Sequence, residues 1–74
     1  MGQHLEELKV YYLELLQRYN RQVDFLKSPK FNTLHYEQKY FLGAEVKVMK
    51  EHLKIIKKRI RLDEQIERET NYIP

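Results

Sequence analysis

The chain has 74 residues, no cysteine, and 14 Lys/Arg against 11 Asp/Glu for a formal charge of +3. A domain of this size removes only about 60% of its unfolded surface from water, and with disulfides and thiolate-bound zinc excluded by composition, association is the common remaining source of stability. Two glycines, two prolines and abundant Leu, Glu, Lys and Gln match long helices rather than strands or disorder, and no apolar run approaches the roughly 20 residues that span a bilayer.

At the start, Met1-Gly2 begins like a myristoylation signal, but Glu6 stands where that signal needs Ser or Thr. No charged start, apolar centre and small-residue cleavage site of a signal peptide follows, so the expected location is cytoplasmic. The bias toward Lys, Ile, Tyr and Asn fits an AT-rich coding sequence, as in low-GC bacteria and their phages.

Leu5, Leu8, Tyr12, Leu15, Tyr19 and Leu26 recur in three- and four-residue steps, interrupted only at Gln22. This is the seam of an amphipathic helix over about residues 3–26. Tyr11, Leu16, Val23 and Phe25 flank the seam and widen its apolar face. Residues 27–32 form a turn, because Pro29 restricts Ser28 to extended conformations and removes a backbone donor. Asn32 is a good N-cap, with Phe31 and Tyr36 at the two positions of a hydrophobic staple. Ser28 as cap with Pro29 in the first turn is the competing start.

A second, longer helix is expected over about residues 33–69, with Gly43 its one internal glycine and a tail at 70–74. Pairing the helices about the turn sets Leu26 near Leu34 and Leu5 near Leu53 or Lys54. That register leaves Ile60, Leu62 and Ile66 in an overhang beyond about Lys58.

The second helix carries two apolar lines. Leu42, Val46, Met49, Leu53, Ile56 and Ile60 form the seam toward the first helix. Leu34, Phe41, Val48, Ile55 and Leu62 recur at every seventh residue, about 100° further round, and one facing helix cannot cover both. Between them run Gln38, Glu45, His52, Arg59 and Ile66. Glu45 and Arg59 can pair across a two-fold interface, since unpaired burial of charge is costly; the alternative is that both reach solvent along their aliphatic stems.

The expected architecture is therefore all-α: a single antiparallel two-helix hairpin over 1–74 with the longer helix second, dimerising into a four-helix bundle or coiled-coil-like assembly. Leu34, Phe41, Val48, Ile55, Leu62 and Ile66 are the expected oligomer or partner interface. A monomer offering this stripe to a different protein is the rival.

Lys47, Lys50, Lys54, Lys57, Lys58 and Arg61 form a basic stripe that could follow a phosphate backbone, but nothing beside it is placed to read bases. The preferred reading is a solvated face. A membrane-surface role lacks a separate aromatic insertion edge. His4, His35 and His52 show no metal-ligand spacing, no Gly-rich phosphate loop or nucleophile motif occurs, and two straight helices offer little concavity. Neither enzyme activity, cofactor nor small-molecule substrate is expected. The sequence points to a noncatalytic regulatory, adaptor or inhibitory subunit that binds itself and another protein, with nucleic-acid binding as the alternative. Tyr72 and Ile73 in the tail could serve as a short docking peptide.

Overall fold

A computed structural model describes residues 2–71, and places helix α1 at Gly2–Leu26 and helix α2 at Tyr36–Asn71. A five-residue 3-10 turn, Pro29–Thr33, lies between them. The described chain is an all-α helical hairpin without strands, drawn out over 62 × 15 × 14 Å. Tyr72 and Ile73 fall outside the described residues.

The sequence explains where α1 stops. Its last bonds tighten to i→i+3 spacing, with the Lys27 and Ser28 amides donating to the Asp24 and Phe25 carbonyls, and the Ser28 hydroxyl donates to the Phe25 carbonyl at 2.7 Å. That hydroxyl is thus turned back on α1. Ser28, extended at φ −80° and ψ 154°, precedes Pro29 in the first position of the turn, and makes no side-chain cap. The Ser28–Pro29 start therefore exists, but it opens a short 3-10 turn.

The turn displaces the expected start of the second helix from residue 33 to Tyr36. Asn32 lies within the turn, and Leu34 is extended at φ −78° and ψ 157°. His35 takes the capping role instead. Its carbonyl accepts from Lys39, its Nδ1 accepts from the Glu37 amide at 3.3 Å, and its own amide donates to Gln38 Oε1 at 2.9 Å. This is the reciprocal logic of a capping box with an imidazole in place of a hydroxyl. The staple is replaced too: Tyr36 is 77% exposed, while Phe31 packs edge-on against Phe25 at 6.3 Å. Those rings pin the connector to α1.

From Tyr36 onward α2 continues without interruption past Gly43. Glu37 in its first turn and Arg68 in its last complement the helix dipole.

The core lies along the expected seam. Leu5, Leu8, Leu15, Leu53 and Ile56 are buried, and Tyr12, Leu16, Tyr19, Met49 and Ile60 pack around the cluster. The register differs from the one expected from a tight turn. Leu5 shares a groove with Asp63, Ile66 and Glu67, Lys9 Nζ lies 3.5 Å from Glu64 Oε2, and Tyr12 lines a groove with Lys57, Ile60 and Glu64. The nine-residue connector, 27–35, slides α1 toward the far end of α2, so Ile60 packs against the core and is not part of an overhang. Ile66 lines the groove with His4 and Leu5 of α1, while Leu62 is 55% exposed.

Candidate functional site

Three faces of α2 follow from its rise and rotation alone, since residues seven apart drift by only about 20°. One faces α1, and each of the others lies about 110° to one side of it.

The apolar flank carries Phe41, Val48, Ile55, Leu62 and Ile66, which remain 62, 68, 57, 55 and 48% exposed. These side chains repeat along the helix as an open strip, with Ala44 and Glu45 lining it between Phe41 and Val48. Leu34 is the exception among the residues expected at this surface. It is half-buried in the connector, ahead of α2, and so is not a member of the helical strip.

Beside the strip runs the mixed polar line. Glu45, His52 and Arg59 are exposed, and among the described residues neither Glu45 nor Arg59 has an ion-pair partner. His52 meets α1 through Tyr11, whose ring stands edge-on to the imidazole at 5.9 Å. The pair marks where the apolar flank borders α1.

The opposite flank holds Lys47, Lys50, Lys54, Lys57, Lys58 and Arg61, all exposed. Lys54 Nζ lies 3.4 Å from Glu51 Oε1 within its own helix; no other member of the stripe is in an ion pair among the described residues. Exposed i,i+3 pairs of this kind contribute little.

Some exposed apolar residues were not anticipated: Val10 at 53%, Leu13 at 56% and Tyr40 at 65%. Leu13 borders Lys57 and Arg61 in a shallow groove. The available signal was the three-residue spacing of Val10 and Leu13 off the seam of α1.

Among the described residues, no three His, Cys, Asp or Glu side chains are grouped as metal ligands, and no helix is long and apolar enough to cross a membrane. Comparison with protein-family models, with curated proteins and with solved structures returned no match. The surface itself therefore carries the functional reading.

Proposed function

We propose that this chain is a noncatalytic interaction module, a small regulatory, adaptor or inhibitory subunit that self-associates through α2 and presents a helical surface to another protein. The single observation behind this reading is the apolar strip from Phe41 to Ile66, 48–68% of each residue open to water on an unbroken helix. Scattered exposed apolar residues need no explanation, but an aligned strip is typical of association surfaces. The thin core supplies the second half of the reasoning, because a domain of this size usually draws stability from something beyond its own fold.

Mass measured by light scattering, on wild type beside Val48→Glu and Lys50→Glu, tests the proposal. A wild-type oligomer, dissociated by Val48→Glu and unaffected by Lys50→Glu, is the expected result. A monomeric wild type, or equal behaviour of the two variants, would refute it. In this reading the basic stripe is a solvated face; oligonucleotide binding that weakens steeply with salt would instead give that face a phosphate-backbone ligand.

A further inference from the structure

We propose that two copies of the chain pair antiparallel along α2, about a two-fold axis passing between Glu51 and His52. The inference rests on the self-association proposed above and specifies its geometry. It comes from a symmetry in the positions of the exposed residues. Phe41 and Leu62 lie equally far from a point between Glu51 and His52, and so do Val48 and Ile55. An antiparallel second copy centred there sets Phe41 against the partner's Leu62 and Val48 against the partner's Ile55, matching the four residues of the heptad with apolar residues, while Ile66 falls level with the partner's Glu37.

The charges fall close to the same centre. Glu45 and Arg59 lie equally far from His52, half a residue from that axis, so each comes within one residue of the other's counterpart on the second copy. Glu45 and Arg59 are exposed and free of ion pairs among the described residues. They stand 14 positions apart on one helix, roughly 21 Å at 1.5 Å per residue, so they cannot satisfy each other within the chain.

A parallel pair in register has the opposite outcome. It would leave Glu45 level with the partner's Glu45 and roughly 21 Å along the axis from the partner's Arg59, so neither charge meets its complement. The strip tolerates either direction; the charges choose antiparallel.

Charge reversal tests the direction separately from the existence of the dimer. Once wild type is shown to self-associate, Glu45→Arg and Arg59→Glu should each raise the dimer Kd by about tenfold or more, since each turns two attractions into two repulsions. The double variant should return to within about threefold of wild type. An equimolar mixture of the two single variants should form heterodimers in preference to either homodimer. A dimeric wild type whose single variants bind as before, or whose double variant is no better than the singles, overturns the antiparallel geometry while leaving self-association intact. A monomeric wild type overturns both.

Spin labels give a readout that leaves these charges in place. With Lys54→Cys the two labels of a dimer should lie within about 25 Å, and with Glu69→Cys about 50 Å apart. Short distances at both positions would establish parallel pairing and end the proposal.

Discussion

Ile55 and Ile56 are adjacent and identical in chemistry, yet the first is 57% exposed and the second 0%. Truncating each to Ala therefore separates the hairpin core from the proposed interface. Ile→Ala removes side-chain groups worth about 2.4 kcal/mol in transfer free energy. At Ile56, where the surrounding Leu8, Leu15 and Leu53 leave no water contact, a residual cavity raises the loss to about 2–5 kcal/mol. That is a large part of the roughly 4–11 kcal/mol expected for a chain of this length. At Ile55 the isolated hairpin forfeits only about 1 kcal/mol, and the better helix propensity of Ala returns a few tenths. In a dimer the exposed portion is buried as well, costing a further 1.4 kcal/mol or so per chain.

Urea unfolding followed by helical circular dichroism, at protein concentrations differing by about a hundredfold, reads both effects. The Ile56→Ala loss should persist at the lowest concentration. The Ile55→Ala loss should shrink toward about 0.5 kcal/mol on dilution. Equal losses for the two variants would refute the division of α2 into a core face and an open face. An Ile55→Ala loss independent of concentration would refute the burial of that side chain by a second copy.

Two further outcomes follow from the helix itself. Gly43→Ala should stabilise the protein by about 1 kcal/mol in thermal or urea unfolding, because a Cβ there meets nothing within 4 Å and Ala is the better helix former; a loss would mean that the helix is interrupted there in solution. Gln38→Ala should cost about 1 kcal/mol by removing the acceptor for the His35 amide, whereas Gln17→Ala on exposed α1 should stay within about 0.5 kcal/mol.

The two seams were legible because three- and four-residue spacing maps directly onto one side of a helix. Leu5, Leu8, Leu15, Leu53 and Ile56 all belong to those lines, and all are buried. The heptad from Phe41 to Leu62 was legible for the same reason, and its exposure follows from α1 being a single companion. What the pattern could not supply was register. Periodicity determines which side of a helix is apolar, but the distance between the helices' ends depends on the connector, and a 3-10 turn is encoded by local competition for backbone bonds. Pro29 and Ser28 announce a break without giving its length. Asn32, a better cap by type than His35, loses because residues 29–33 are already committed to the turn. Spacing alone places Leu34 on the helical strip, and the same turn leaves it outside the helix.

The slender outline has a practical effect on how this protein behaves in solution. Its radius of gyration is 17.3 Å, whereas a compact chain of the same length would have about 11 Å, and 17.3 Å is the value for a globule of roughly 230 residues. A single copy will tumble slowly and leave a sizing column early, mimicking a larger species. Elution volume would thus report association where none exists, and shape-independent mass is the measurement that separates a lone rod from a pair.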